Sequence, residues 1–341
     1  MISSLEKIDK IIKILAIPYS GFLSIIFGIM LLSFPIGLYV MFNSEIGKDI
    51  NYQYPIDGLN LFFGGIGYKI PISFEIGDAF IIAWTTFLIL FSISYFGPED
   101  SVLKTLSNLM SRGWRNMKGN ALVNMMTWFS VLILFSVIIE MIQQSFGIKI
   151  ESPQSDNNLI RFFQLSTSPL TEEVGFRVIL IGIPLFLIYS HIPSWKIFFK
   201  SLWRPSKYLY IENYKKPMVL IITIGLFFGV AHIISGTPWS PGKITQATVA
   251  GIIIGWVYVR YGFAPAVLIH WATNYFLFSY LFFISNLSQS PAINESSNPF
   301  SNTLESIIII TGIIAITIKI LSYIESRKNL DRTSISNDKL I

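Results

Sequence analysis

The stretch Pro169-Leu170-Thr171-Glu172-Glu173-Val174-Gly175-Phe176-Arg177 places three ionisable side chains inside a run, from about residue 159 to 189, that is otherwise apolar enough to cross a bilayer. A charged residue at the centre of a membrane helix costs roughly 2.5 to 3.5 kcal/mol on insertion scales, so such residues face a partner or a wet cavity and by default carry function. Two later apolar runs also hold polar groups, Phe228-Gly229-Val230-Ala231-His232 and His270-Trp271-Ala272-Thr273-Asn274. The rest of the chain reads as the scaffold that brings these three together.

The 341 residues are 52% hydrophobic and only 13% charged, with a mean hydropathy of +0.58, against about 25% charged in soluble domains. That composition is the mark of an all-α polytopic membrane protein, expected as a single transmembrane domain over residues 1–341. The net charge of +5 does not point to nucleic acid, because the Lys and Arg excess of cytoplasmic loops accounts for it. Cysteine is absent, which excludes disulfides, a thiolate nucleophile and Cys-type zinc sites. Any chemistry falls to Glu, Asp, His, Ser, Tyr or Lys.

Lys7, Lys10 and Lys13 precede an apolar run from about residue 14 to 42. It exceeds the ~7 to 15 residue apolar core of a cleaved signal and reads as a retained first span. Residues 43–78, with Gly64, Gly65 and Gly67, read as an external loop with a short re-entrant piece and no motif. Further spans are expected at about 79–96, 121–142, 159–189, 217–235, 244–259, 263–283 and 307–323. Ser166, Thr167, Ser168 and Pro169 interrupt the fourth. Proline is tolerated at a helix start, so the expected form is a short entry helix and then a second one that begins near the glutamates.

The loop at 191–216 mixes aromatic residues with Lys196, Lys200, Arg204, Lys207, Lys215 and Lys216, a composition suited to an anionic membrane surface. Gly225 with Gly229, and Gly251 with Gly255, form G-x-x-x-G pairs that let helix backbones approach closely. Asn286 and Asn294 open two N-x-S sequons, which are weak signals. With eight spans and both termini cytoplasmic, only Lys48, Lys69, Lys149, Arg161 and Lys243 of the 25 Lys and Arg fall outside, Arg177 lying within a span. That bias favours a multi-pass protein of the cell membrane in this orientation.

On a helix, positions four apart share a face, so Glu173 and Arg177 are expected to pair as a structural ion pair. Glu172, five residues before Arg177, points about 140° away and is the carboxylate left for chemistry. His232 and His270 sit inside spans, while His191, in a loop beside a proline, is expected to be solvated and idle. His270 and Asn274 project from one face, and both can donate to one oxygen. At ~1.5 Å per residue, Glu172, His270 and His232 lie ~16, ~15 and ~24 Å from their entry sides. In a core of about 30 Å they would meet between the midplane and the outer leaflet.

A glutamate, two histidines and an asparagine in a low-dielectric cavity suggest hydrolysis. Glu172, helped by His232, would take a proton from water attacking a carbonyl, and His270 with Asn274 would stabilise the oxyanion. Glu172, His232 and His270 are also adequate zinc ligands, although H-E-x-x-H is absent. The water reading requires no cofactor, and zinc is the metal the alternative would take.

In this order and on separate spans, Glu172-Glu173-x-x-x-Arg177, Phe228-x-x-x-His232 and His270-x-x-x-Asn274 resemble the three motifs of the CPBP family of intramembrane proteases, which includes the type II CAAX prenyl endopeptidases. The resemblance covers about residues 166–275, the expected catalytic core, and departs at Val178, where many members carry glycine. It implies an eight-helix fold and an endopeptidase that cuts near the C-terminus of a prenylated CAAX-type or other membrane-bound protein. Catalysis would fall to Glu172, His232, His270 and Asn274, with Phe228 as a packing residue of its motif. The family is often labelled metalloprotease, and a glutamate-activated water without metal is equally compatible with the resemblance. The implied partners are the lipid bilayer and a membrane-bound protein or prenylated peptide. A reading from a different class is a non-catalytic immunity or scaffold protein that keeps the polar cluster for folding.

Overall fold

The computed structural model describes residues 4–44, 55–56, 58–63, 66–71, 73–97, 100–113, 119–151, 157–191, 194–234, 239–288 and 298–338. Lys48, Gly64, Gly65 and Asn294, named above, lie outside them, as do Arg115, Lys118, Asp156 and Lys339 of the charged loops.

Helix α1 spans Ser4–Asn43, α2 Ile76–Phe96, α3 Val102–Arg112 and α4 Ala121–Ser145. The fourth expected span is one helical run in three parts, α5 over Asn158–Glu173, a π-helical stretch over Val174–Gly182, and α6 over Ile183–Tyr189. Short helices α7 (Trp195–Trp203) and α8 (Pro205–Tyr208) fill the basic loop. Then come α9 (Lys215–Ile234), α10 (Lys243–Tyr261) and α11 (Phe263–Trp271), a second π-helical turn (Ala272–Phe276), α12 (Leu277–Ser288) and α13 (Pro299–Asp338).

Among the described residues six helices are long and apolar enough to cross a membrane: α1, α2, α4, α9, α11 with α12, and α13. The other two expected spans, at about 159–189 and 244–259, are helical throughout. The chain is therefore an all-α, multi-pass membrane protein. Isoleucine, leucine and phenylalanine point outward along the spanning helices, with Ile14, Leu32, Ile82, Val219, Leu226 and Ile320 more than half exposed. That belt is what a helix facing hydrocarbon requires.

The structure corrects two expectations about the backbone. Pro169 does not separate an entry helix from a second one: α5 runs through it. The hydroxyls of Ser166, Thr167 and Thr171 donate to Phe162 O, Phe163 O and Ser168 O along this turn. The change of pitch comes after Glu173 instead, where the repeat widens from i→i+4 to i→i+5. Within the segment 43–78, read above as a loop, the described residues form four short strands: β1 (Pro55–Ile56), β2 (Leu59–Phe63), β3 (Ile66–Ile70) and β4 (Phe74–Glu75). β2 pairs antiparallel with β3, Phe63 opposite Ile66, and β1 with β4. β2 lies against α5 and the first π-helical stretch.

The glycine pairs do what their spacing predicts. A Cβ on Gly251 would sit 3.0 Å from Gly225 Cα, and one on Gly225 would meet Ile252. A Cβ on Gly229 would collide with the Thr248 hydroxyl. α9 and α10 can cross this closely only because those positions are bare.

α11 is the centre of the bundle, in contact with α2, α4, α5 and α10. Its Trp271 is fully buried, and the ring stacks on Phe34 of α1 with centroids 5.1 Å apart. Tyr275 Oη donates to Ser33 O and Phe34 O at 3.1 and 3.2 Å, and Tyr280 Oη to Ile29 O at 2.8 Å. These bonds fix the height of the third motif against α1.

Candidate active site

The first motif is positioned from the start of α5. Asn157 Oδ1 accepts from Leu159 N and Ile160 N, an N-cap that starts the helix at a defined residue. Four turns later Glu173 and Arg177 face inward, both wholly inaccessible to solvent. Arg177 Nε lies 3.0 Å from Glu173 Oε2. Its N–H is not directed along that line, and no protein hydrogen-bond partner meets the guanidinium among the described residues, so the contact is ionic. The expected pair is present. The guanidinium rests 4.7 Å from the centre of the Phe228 ring, with Phe176 on another side at 6.0 Å. A cation on an aromatic face keeps part of the stabilisation it loses on leaving water.

Glu173 has a second contact that spacing within its own helix does not reveal. Its Oε1 lies 2.8 Å from His270 Nδ1, a partner 97 positions away. A carboxylate accepts, so Nδ1 of His270 carries the proton and Nε2 presents a lone pair. That Nε2 is 3.8 Å from Glu172 Oε2 and 3.3 Å from Asn274 Nδ2. Glu172 is the exposed member of the doublet: its side chain is 19% accessible, against none for Glu173.

His270 and Asn274 were expected to aim side by side at one oxygen. They lie together, but Asn274 Nδ2 donates to Ser168 Oγ at 3.0 Å, and its Oδ1 accepts from the Thr273 hydroxyl at 3.2 Å. The tautomer set by Glu173 makes neutral His270 an acceptor at Nε2. Ser168 is a member of the site that sequence reasoning treated only as part of a helix interruption. The π-helical turn at 272–276 sits where these side chains project, and such turns often mark functional positions in helices.

His232 enters from α9. Its Nδ1 lies 2.8 Å from Phe228 O; a carbonyl can only accept, so Nε2 is again the nitrogen with a free lone pair. Phe228 joins the parts, its ring edge-on to His232 at 4.7 Å and to His270 at 6.1 Å. Its packing role is thus with both histidines and with Arg177. His191 closes the expected list from a loop position at the end of α6, exposed and outside this cluster.

Residues 156–276 match the family of the type II CAAX prenyl endopeptidases, described as Rce1-like. The motif resemblance holds over this stretch. All three motifs lie within it. At the level of the Rce1-like family, the match supports a CAAX-type endopeptidase of the membrane. No curated protein and no solved structure matches the chain.

Two imidazoles with Nδ1 tied to an acceptor have the tautomers that metal ligands need. Three donors converging on one point are a further requirement, and among the described residues no group of three His, Asp or Glu side chains is arranged that way. His270 Nε2 is already approached by Asn274. Glu172, His232 and His270 as they stand do not fit a zinc centre.

Proposed function

We propose that the chain is an intramembrane endopeptidase that cleaves near the C-terminus of a prenylated or otherwise membrane-bound protein, with Glu172 as the general base. The carrying observation is the asymmetry of the glutamate doublet. Glu173 is used up by Arg177 and His270, while Glu172, partly exposed, faces Nε2 of His270 across 3.8 Å. That gap is too long for a direct hydrogen bond and fits a water accepted by neither alone.

The water gives a proton to Glu172 as its oxygen forms a bond to the scissile carbonyl carbon. His232, with Nε2 free, assists in taking up that proton. The carbonyl oxygen becomes an oxyanion within reach of Asn274 Nδ2, a donor held in place by Ser168 and of the kind worth a few kcal/mol when aimed at developing charge. The C–N bond then breaks, and the proton on Glu172 passes to the departing amine. Glu173 keeps the His270 ring turned, with Arg177 balancing its charge.

The test is cleavage of a prenylated CAAX-type peptide by the full chain in detergent. His232→Ala is expected to lower kcat/KM by about 10²-fold or more with an unchanged thermal midpoint. Full activity of that variant would remove His232 from the reaction, and absence of cleavage by the wild type would favour a scaffold or immunity role.

A further inference from the structure

Lys243 belongs to none of the motifs, yet it is built into the same corner of the protein. It is the first residue of α10, and its Nζ donates to Gln246 Oε1 at 2.7 Å and sits 4.3 Å from the centre of the Trp239 ring. Trp239 in turn donates its backbone N–H to His232 O at 3.0 Å, with the two rings 6.5 Å apart. The ammonium is thereby fastened to the turn that carries His232. Its backbone is held as well: Gln143 Nε2 donates to Gly242 O, and Ser240 Oγ donates to Lys149 O while accepting from Glu151 N.

Among the described residues, no carboxylate lies within ion-pair distance of this ammonium. The groups whose charges reach it are Glu172, Glu140 and His232. A half-buried lysine with one neutral acceptor and one aromatic face retains donors for an anion. The first of these groups, Glu172, is the carboxylate that would activate water.

We propose that Lys243 is a specificity-determining residue that binds the free C-terminal carboxylate of the substrate, a step that rests on the endopeptidase reading above. An extended chain spans about 3.3 to 3.6 Å per residue. A carboxylate anchored at one fixed point would therefore place one particular bond, a set number of residues from the chain end, beside Glu172. The enzyme then counts inward from the terminus, and an internal loop of a protein, which has no carboxylate to offer, is passed over.

The experiment compares one prenylated peptide as the free acid and as the C-terminal amide, using the full chain, Lys243→Met and Lys243→Arg. The wild type is expected to prefer the acid at least tenfold in kcat/KM, mostly through KM. Lys243→Met should bring the ratio near one, and Lys243→Arg should restore much of it. A preference that survives in Lys243→Met, or its absence in the wild type, overturns the proposal. So does inhibition of the wild type by anionic lipid without any acid preference, which assigns the ammonium to a headgroup. If the wild type cleaves neither peptide, the endopeptidase reading fails by itself, and binding decides the lysine. A rise in thermal midpoint with the acid but not the amide, lost in Lys243→Met, keeps the anchor; equal shifts reject it.

Discussion

Glu172 and Glu173 are adjacent in sequence and identical in chemistry, yet the fold gives them opposite surroundings. Glu173 is sealed, with one oxygen against Arg177 and the other bonded to His270. Glu172 keeps a fifth of its side chain open, and among the described residues it faces His270 Nε2 at 3.8 Å. One turn of helix thus divides into a half that holds the site together and a half available to a reactant. The two kinds of residue should separate in experiment: the first kind should cost stability when changed, and the second kind should cost rate.

The largest structural effect is expected at Arg177. Arg177→Met leaves the Glu173 carboxylate buried without its counter-charge, a change that costs about 3–5 kcal/mol, read as a fall in thermal midpoint in detergent. The double variant Glu173→Gln with Arg177→Met removes both charges and should recover a good part of that loss. Equal loss in the single and double variants would show that the sealed half is not held by its ion pair. A smaller effect is expected at Ser168, whose Oγ accepts from Asn274. Ser168→Ala should lower kcat/KM a few-fold, in line with about 1 kcal/mol for one hydrogen bond, and leave the thermal midpoint nearly unchanged. If it instead destabilised the protein as much as Arg177→Met, Ser168 would belong to the sealed half.

Most of the transmembrane plan could be read from hydropathy, because an apolar run about as long as a bilayer is thick has few other uses. The run ending at Phe96 and the one starting at Ala121 agree with helices Ile76–Phe96 and Ala121–Ser145 to within a few residues. The Glu173 to Arg177 pair was legible too, since helical spacing fixes it locally. Its continuation to His270 was not, because nothing within one helix reports a partner 97 residues on. Pro169 suggested a break, but α5 runs through it, and the change at the glutamates is one of pitch, from α to π, rather than a new helix start. The hairpin of β2 and β3 had a usable signal, two apolar runs on either side of Gly64 and Gly65, a familiar turn pair. High overall hydropathy hid it. Lys243 was counted only as a loop charge, and its place near His232 depends on the bond from Trp239 N back to the end of α9.

Paired measurement of Glu172→Gln and Glu173→Gln tests the division of the doublet most directly, with cleavage of a prenylated peptide and thermal midpoint recorded on the same preparations. Glu172→Gln is predicted to lose about 10²- to 10⁴-fold in rate at an unchanged midpoint, and Glu173→Gln to lower the midpoint by several degrees. Retained cleavage by Glu172→Gln, or equal falls in midpoint for both variants, would contradict it.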